Sequence, residues 1–384
     1  MPKISLPRPM VAAGVAAGVA AGVLLAGPAA ARPAKAAPTC GSVITKDTKL
    51  KTDLTCDGPA LVLRRGVTLD LRGHSVTGRG PDATTGILVT GPATTRPTVI
   101  RGGTIAQWHD GVMTEPYNDI RGQVTLSDVT IRRAPITTTT TDVLVRSSQL
   151  TDSDLQTYGG TTTVVDSRLV RSSAMRESTW FRLERSTVIG GQWGGDENQQ
   201  VEIIDSVLDG RGTVGRPPST CSGTVCRISG STIRNYTVPL APWYTATITD
   251  TTFVDNPGGA VLVGLQTTAT ITGSRFIRDG INSSPAITVY GRLSVLDSAF
   301  TGSGGGVHVT SYAPEGGVSV RRSTFRDHQG NGISSESPGV RLGDNTAVGN
   351  AGWGIYAPGA VDEGGNVARG NGTGQCFGVT CAPR

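Results

Sequence analysis

The segments that decide the fold read TATITDTTFV at residues 245–254, TATITGSRFI at 268–277, RLSVLDSAFT at 292–301 and GVSVRRSTFR at 317–326. In each segment apolar and polar residues alternate, then Asp, Gly or Arg marks a turn, and a Phe follows three residues later. The same pattern extends outward from Val67 to Val367. We call the apolar residue that closes each repeat the anchor; the anchors are Val76, Ile105, Ile131, Leu150, Leu169, Val188, Leu208, Ile233, Phe253, Phe276, Phe300, Phe325, Ala347 and Val367.

The anchors return about every 22 residues, a spacing typical of stacked solenoid coils. In most repeats the residues seven and five before the anchor are apolar and those six and four before it are polar, which indicates a strand with one buried face. Gly and Asp dominate three residues before the anchor because both tolerate left-handed turns. Ser often follows them, and we expect its hydroxyl groups to stack along the turn, at positions 148, 167, 186, 206, 231, 274, 298 and 323.

The sequence therefore predicts an all-β fold, a right-handed parallel β-helix of about 13–14 coils whose ends are pinned by disulfides. An ordinary β-sandwich would also have short strands, but it does not explain the regular return of the turn and the anchor. No sustained helical periodicity follows residue 40.

The first 36 residues predict a secretory signal peptide. Lys3 and Arg8 precede the apolar run 11–26, and residues 29–31 and 34–36 offer A-x-A cleavage sites. An uncleaved membrane anchor is the alternative, although the run is short and rich in Gly. We expect one mature domain, residues 40–384, with an N-terminal cap at 40–66 and a C-terminal cap at 368–384, no membrane segment, and a secreted, extracellular location.

Signal removal changes the charge balance. The full chain has a formal charge of +5, from 35 Lys and Arg against 30 Asp and Glu. The charged residues that cleavage near residue 31 or 36 removes are all basic, so the mature chain is nearly neutral. That balance argues against nucleic acid as a partner.

Six cysteines fit export to an oxidising compartment. Their positions predict local disulfides, Cys40 with Cys56, Cys221 with Cys226 and Cys376 with Cys381. The first and last would pin the two ends, where a solenoid exposes strand edges. A zinc site is the alternative, but the spacings do not match one.

Charged residues interrupt the outward-facing positions of the central coils. Six residues before the anchor most coils have a hydroxyl, but adjacent coils have Arg182, Glu202 and Arg227. Glu184 and Arg146 stand four before the anchor on the same face. Because neighbouring coils lie ~4.8 Å apart, these residues predict a catalytic patch. An Arg could neutralise a uronate carboxylate while a basic group takes the proton alpha to it. The alternative is a cross-strand ion-pair ladder.

Aromatic residues fall in turns and loops of many coils, mostly 8–13 residues before the next anchor, so several could line one side as a sugar-binding stripe. The alternative is that each packs under its own turn. The candidates are Tyr158, Trp180, Trp193, Trp243, Tyr244, Tyr290 and Tyr312.

The histidines do not predict a metal site, because no His–Cys cluster accompanies them. His74 and the segment Trp108-His109-Asp110 are more typical of structural turns, and His308 should face outward from its strand. The acidic pairs Asp152/Asp154 and Asp196/Glu197 leave calcium open, although neither has the spacing of a known calcium loop. No cofactor is required by the sequence.

The stretch from Cys40 to Val112 resembles the opening of many secreted bacterial β-helix proteins of the pectin-lyase-like superfamily. The resemblance rests on CG at 40–41, ITKDT at 44–48, LTC at 54–56, VTLDLRGHSV at 67–76 and IRGGTI at 100–105. The later Asp-Ser-x-Phe coils are similar to repeats shared by polysaccharide lyases, some glycoside hydrolases, mannuronan epimerases and the copper-site maturation protein NosD. These families share coils rather than active sites. The chain has no Asp-Pro-His of the epimerase type and no Asp-Asp or Gly-His-Gly of the polygalacturonase type.

Together these patterns favour a secreted protein that acts on a polysaccharide, as a lyase or epimerase on uronate chains. A glycoside hydrolase with Glu184 and Glu202 as its carboxylate pair is a variant. The other class is a non-enzymatic glycan-binding, structural or maturation protein. An enzyme should place the charged patch in a walled cleft beside the aromatics; a passive solenoid should show the patch flat and mutually paired.

Overall fold

Strands built from the repeat stack in parallel, each coil on the next, as a right-handed β-solenoid of about 14 turns. The computed structural model describes residues 37–79, 83–115, 122–175, 178–192, 200–212, 221, 223–281 and 284–382. Among these residues there is no helix. The predicted signal peptide lies outside the described residues. No helix long and apolar enough to cross a membrane occurs in the part of the chain that the structure describes.

The strands of the coils form three parallel sheets. Sheet 1 precedes the first turn and contains Thr48–Lys49, Thr68–Asp70, Asp142–Arg146, Thr161–Val165, Trp180–Glu184, Gln200–Ile204, Val225–Ser229, Thr245–Thr249, Thr268–Thr272, Arg292–Leu296, Val318–Arg321, Arg341–Gly343 and Val361–Gly364. Sheet 2 carries the anchors and contains Leu54–Cys56, Ser75–Gly78, Gln149–Thr151, Arg168–Val170, Thr187–Ile189, Val207–Asp209, Thr232–Arg234, Thr252–Val254, Arg275–Ile277, Ala299–Thr301, Thr324–Arg326, Thr346–Val348 and Val367–Arg369. Two longer strands, Thr98–Ala106 and Gln123–Arg132, run through both sheets.

Sheet 3 closes the third side in two blocks. The N-terminal block contains Ser42–Ile44, Leu61–Arg64, Thr85–Thr90, Asp110–Thr114, Ile136–Thr139, Leu155–Tyr158 and Ala174–Met175. The C-terminal block contains Val261–Val263, Pro285–Val289, Gly305–Val309, Ile333–Ser335, Trp353–Tyr356 and Gly374–Phe377.

The core is the stack of apolar residues inside the coils. The predicted inward pairs are buried, for example Phe181 with Leu183 and Val201 with Ile203. The four Phe anchors stack in register, with ring centroids 5.0, 4.5 and 4.7 Å apart. This confirms the predicted inward period of two and the parallel register.

The first turn, between sheets 1 and 2, has the predicted left-handed backbone, with φ of 55° at Asp128, 49° at Asp166 and 47° at Asp250. The predicted serine ladder is also present. The Ser148 N–H donates to Ser167 Oγ at 3.1 Å, and the Ser148 hydroxyl donates to the carbonyl of the residue two before it at 2.7 Å. Each coil therefore satisfies a backbone group of its neighbour.

A second polar ladder, which the sequence did not predict, follows the anchors of the C-terminal coils. Backbone N–H groups donate at 3.0–3.1 Å to the side chain one coil on. The ladder consists of Asn256, Asp279, Ser303, His328, Asn350 and Asn371. Its acceptors are of four residue types, so no single letter repeats in the sequence.

The predicted last anchor was wrong by one residue. Ala347 pairs with Ala368, which is 4 % exposed, and Val367 is less buried. The cause is a β-bulge at Glu363. Leu342 pairs with Asp362 and Gly343 with Gly364, so the strand Val361–Gly364 has one extra residue. At the other end, Leu54 pairs with Val76, so one further coil lies in the segment predicted as the N-terminal cap.

The three predicted disulfides are present, Cys40–Cys56, Cys221–Cys226 and Cys376–Cys381. Among the described residues no cysteine is free. The first and last lie in the terminal coils, as expected for a solenoid whose ends need closing.

Candidate functional site

The charged patch lies on the outer face of sheet 1 and is mutually paired. Arg182 donates from Nε and Nη2 to Glu184 Oε2 at 3.0 and 2.7 Å, and from Nη1 to Glu202 Oε2 at 3.2 Å. Glu202 Oε1 also accepts from Gln200 at 2.8 Å and from Arg227 at 3.4 Å. The two carboxylates are therefore joined through one guanidinium and have their charge compensated within the protein.

Of two further basic residues, Arg185 bonds to this patch and Arg146 lies apart from it. Arg185, on the first turn, also bonds to Glu184 and forms a bidentate pair with Asp166 at 2.8 and 3.1 Å. Arg146 lies two strands away, with Val165 between it and Glu184 in the register. At ~4.8 Å per strand that is about 10 Å, so the structure does not bring Arg146 into the paired cluster.

The described aromatic candidates lie at one corner of the solenoid, where sheet 3 passes into sheet 1. We call this the aromatic corner. Tyr158 ends a sheet 3 strand, Tyr290 follows one, and Trp180 begins a sheet 1 strand. Trp243 and Tyr244 stand just before Thr245–Thr249, and Tyr312 lies shortly after Gly305–Val309. Trp193 lies outside the described residues.

Several corner rings are open to solvent. Tyr312 is 72 % exposed, Trp243 55 % and Tyr244 47 %. The rings of Tyr290 and Tyr312 are 6.2 Å apart between centroids and tilted by 33°. Since Trp180 shares its outward face with Arg182 and Glu184, the aromatic corner borders the charged patch.

A groove on sheet 3 was not predicted. Its volume is about 390 Å³, and its outer row is His308, Ser334 and Tyr356, which are in register on adjacent strands. His308 faces outward as predicted, and its Nδ1 lies 3.0 Å from Ser334 Oγ. Its Nε2 lies 3.8 Å from Glu336 Oε1. The sequence signal was weak because these residues stand about a coil apart and share no motif.

The segment Trp108-His109-Asp110 makes contacts typical of a structural turn. Trp108 is buried and its indole N–H donates to the Val76 carbonyl at 3.0 Å. His109 Nδ1 lies 2.9 Å from Asp110 Oδ2, while Asp110 Oδ1 accepts from Thr137 at 2.7 Å. These contacts agree with the turn interpretation of this segment.

His328 belongs to the second ladder, where its Nδ1 accepts the Ser303 N–H at 3.1 Å. Burial lowers the pKa of His328 to about 4. In the same ladder, burial raises the pKa of Asp279 to about 7 although it accepts hydrogen bonds from Asn256. Both groups are inside the coils and out of reach of a large ligand.

No group of three or more metal-ligating side chains occurs among the residues that the structure describes. Asp152 is held by Arg171 at 2.6 and 2.8 Å, and Asp154 accepts the Ser173 N–H at 2.7 Å. The second acidic pair, Asp196/Glu197, lies outside the described residues, so the question of calcium, for which the sequence has no motif, stays open.

Comparison with known proteins supports the fold class. The family model described as a right handed beta helix region matches residues 219–372. No curated protein matches the chain in sequence. The match covers less than half of the chain and agrees with the right-handed parallel β-helix fold of the structure.

Among solved structures, the chain is similar to the A-module of the mannuronan C-5 epimerase AlgE6 of Azotobacter vinelandii. The TM-score is 0.40, and the identity is 13 % over 85 % of this chain and 91 % of that chain. It is also similar to the Agl-KA catalytic domain, with a TM-score of 0.31 and 12 % identity over 85 % of this chain and 62 % of that one. A third is the GH87 alpha-1,3-glucanase of Streptomyces thermodiastaticus, with a TM-score of 0.21 and 13 % identity over 89 % of this chain and 64 % of that one. These likenesses concern the coil architecture and do not define a site.

Proposed function

We propose that this protein is an extracellular polysaccharide-binding β-helix that holds a glycan chain along the aromatic corner. The observation that carries the proposal is the alignment of exposed Trp and Tyr rings on one corner, beside a patch whose charges are already paired. Three local disulfides and the predicted signal peptide support an extracellular location.

The corner has the chemistry of a glycan track. Sugar rings present apolar C–H faces that stack on exposed aromatic rings, and a Tyr or Trp can add a hydrogen bond from its polar edge. Tyr158 and Tyr312 are about seven coils apart, which corresponds to roughly 34 Å at ~4.8 Å per coil. A linear polysaccharide can follow a surface of that length.

The pairing in the charged patch favours binding over catalysis. For the lyase or epimerase hypothesis, Arg182 would have to leave Glu184 and Glu202 before it could neutralise a uronate. For the hydrolase variant, the same guanidinium stands between the two carboxylates that would act as acid and base. Mutual pairing of the charges is what we expect of a non-enzymatic solenoid.

Affinity measurements with a double variant test the proposal. Trp243→Ala/Tyr244→Ala should weaken binding of a polysaccharide about tenfold or more, measured by affinity electrophoresis against a panel of neutral and uronate-containing glycans. Ile281→Ala is the matched control, because Ile281 is 53 % exposed but lies in the loop between sheets 2 and 3. Unchanged mobility shifts in the double variant would remove the corner as the binding site.

The enzyme hypothesis has its own test. The wild type is incubated with the same glycans while unsaturated uronate absorbance and reducing ends are followed. If it degrades a glycan and both Arg182→Gln and Glu202→Gln abolish turnover without lowering the melting temperature, the patch is catalytic and the binding proposal is incomplete. The proposal expects no turnover that depends on these residues.

A further inference from the structure

The sheet 3 groove combines a flat aromatic wall with a small set of polar groups. Tyr356 forms the wall and is 38 % exposed. Its ring stacks on Phe377 with centroids 5.3 Å apart and an angle of 17° between planes, and Trp353 packs beside it at 5.7 Å. The wall is therefore held in place before any ligand arrives, which lowers the entropic cost of stacking on it.

The polar groups retain hydrogen-bonding capacity. Glu336 accepts one backbone N–H, from Ser311 at 3.3 Å, and a carboxylate can accept several more. The 3.8 Å gap between Glu336 Oε1 and His308 Nε2 is too long for a direct hydrogen bond. A hydroxyl group placed between them could donate to the carboxylate and accept from the imidazole.

Two further groups surround this position. Ser334 shares a hydrogen bond with His308 Nδ1 at 3.0 Å. Asn331 is oriented by the Trp353 N–H, which donates to its Oδ1 at 2.7 Å. Its amide NH₂ group adds a donor at the groove. Such a set of alternating donors and acceptors matches the vicinal hydroxyls of a sugar.

The groove differs in charge from the patch on sheet 1, which contains both Arg and Glu. Glu336 is the acidic residue among the described residues that line it, and none of those residues is Arg or Lys. A uronate would bring a second carboxylate next to Glu336 without a cation to compensate it, which is unfavourable. An uncharged sugar has no such cost.

The size of the groove fits one or two sugar units. Its volume of about 390 Å³ is at the small end of the range of about 300–1,000 Å³ for ligand pockets. Its floor includes Gly304, Gly305 and Gly306, which are buried and add no side chain to the space. The groove adjoins the aromatic corner, since Ser311 bonds Glu336 and precedes Tyr312.

We propose that the sheet 3 groove is a subsite for an uncharged sugar, with the pyranose stacked on Tyr356 and its hydroxyls bound by Glu336, His308 and Asn331. The inference rests on the proposed function for the general class of ligand, a glycan. It goes beyond that function in assigning the site and in selecting neutral over uronate units.

Calorimetric titration of the full chain tests the subsite with six-unit oligosaccharides of glucose, of mannose and of galacturonic acid. Glu336→Gln keeps the shape of the side chain and the acceptor for Ser311 but weakens the hydroxyl contacts. It should lower affinity for a neutral oligosaccharide about tenfold and should not lower binding of the oligogalacturonate. Glu315→Gln, an exposed acid with the same charge change, is the control and should leave both affinities unchanged.

Tyr356→Ala provides the second variant and should also weaken neutral binding, with thermal unfolding used to show that the coil remains folded. If neither Glu336→Gln nor Tyr356→Ala alters neutral binding while Trp243→Ala/Tyr244→Ala does, the groove is not a subsite and the corner proposal stands. If the groove variants alone lower binding, the groove stands and the corner proposal fails. Preference of the wild-type groove for the galacturonate, lost in Glu336→Gln, would overturn the selectivity.

Discussion

At the scale of single residues, the fold depends on buried side chains that satisfy the backbone of the neighbouring coil. Asn350 is an example, because its side chain makes three hydrogen bonds. Its Oδ1 accepts the His328 N–H at 3.1 Å, and its Nδ2 donates to the Phe325 carbonyl at 3.3 Å and to Asn371 at 2.8 Å. One side chain thus serves three groups of buried residues.

Asn350→Ala should destabilise the protein by about 2–4 kcal/mol, because it leaves buried donors and acceptors unpaired. Urea unfolding followed by far-UV circular dichroism measures this. Ser294→Ala on the exposed face of sheet 1 is the control, expected within about 0.5 kcal/mol. Equal effects of the two changes would show that the ladder is not a source of stability.

Asp279 predicts an unusual pH dependence. Burial raises the pKa of Asp279 from 3.8 to about 7 in the folded protein, so the folded state binds this proton more tightly than the unfolded state. Its contribution to stability is complete below pH 4 and is lost as pH rises towards 7. Asp279→Asn should therefore become relatively more stable than the wild type, by a few kcal/mol, between pH 4 and 7.

The control for this titration is Asp297→Asn. Arg322 lowers the pKa of Asp297 below 3.8 through a bidentate hydrogen bond at 2.8 and 2.9 Å. The stability that this pair provides is present above pH 4 and is lost only as pH falls further. The difference between the wild type and Asp297→Asn should thus be flat from pH 4 to 7. A flat profile for Asp279→Asn as well would contradict the raised pKa.

At the scale of elements, the sheet 2 strands owe their register to the anchor row. Phe276 lies between Phe253 and Phe300 in a stack with interplanar angles of 1° and 3°. It is fully buried, whereas the next residue, Ile277, faces outward. The anchors rather than the outer residues therefore decide how successive coils align.

Phe276→Ala should cost about 3–5 kcal/mol through lost burial and the cavity left in the stack. Ile277→Ala, one residue along, should cost less, about 1 kcal/mol, since that side chain is only partly covered. Thermal and urea unfolding of the two variants are compared. A loss below 1 kcal/mol for Phe276→Ala would mean that the stack is not the organising core.

At the scale of the whole molecule, the solenoid needs closed ends, and the disulfides test that need. Cys40–Cys56 spans 16 residues and lies in the first coils, whereas Cys221–Cys226 spans 5 in the middle of the chain. Replacing the first pair by Ser should cost about 3 kcal/mol and the second about 2 kcal/mol by loop-closure entropy. Melting temperatures of the two double variants give the order, and a larger loss at 221–226 would contradict this account.

Much of this architecture could be predicted from the sequence because the same residue types recur at the same place in each coil. The anchors, the inward pairs and the left-handed first turn follow from that repetition. The bulge at Glu363 could not be predicted, because one extra residue lengthens a repeat equally whether a strand or a turn contains it. The groove also escaped prediction, because His308, Ser334 and Tyr356 become neighbours only when coils stack.

The charged patch shows the limit of sequence reasoning about a site. A catalytic cluster and an ion-pair ladder both require Arg182, Glu184 and Glu202 in adjacent coils. Only the contacts distinguish the two, since Arg182 bonds to both carboxylates. The aromatic residues were easier, because their spacing before the anchors already indicated a common side of the solenoid.

A crystal structure of the protein with a bound hexasaccharide that it recognises in the affinity panel would show directly where the glycan binds. We expect sugar rings stacked on the aromatic corner over Trp243 and Tyr244, with the Arg182–Glu184 and Arg182–Glu202 pairs intact. Sugar density over the sheet 1 patch, with Arg182 released from its two glutamates and the corner empty, would contradict this expectation.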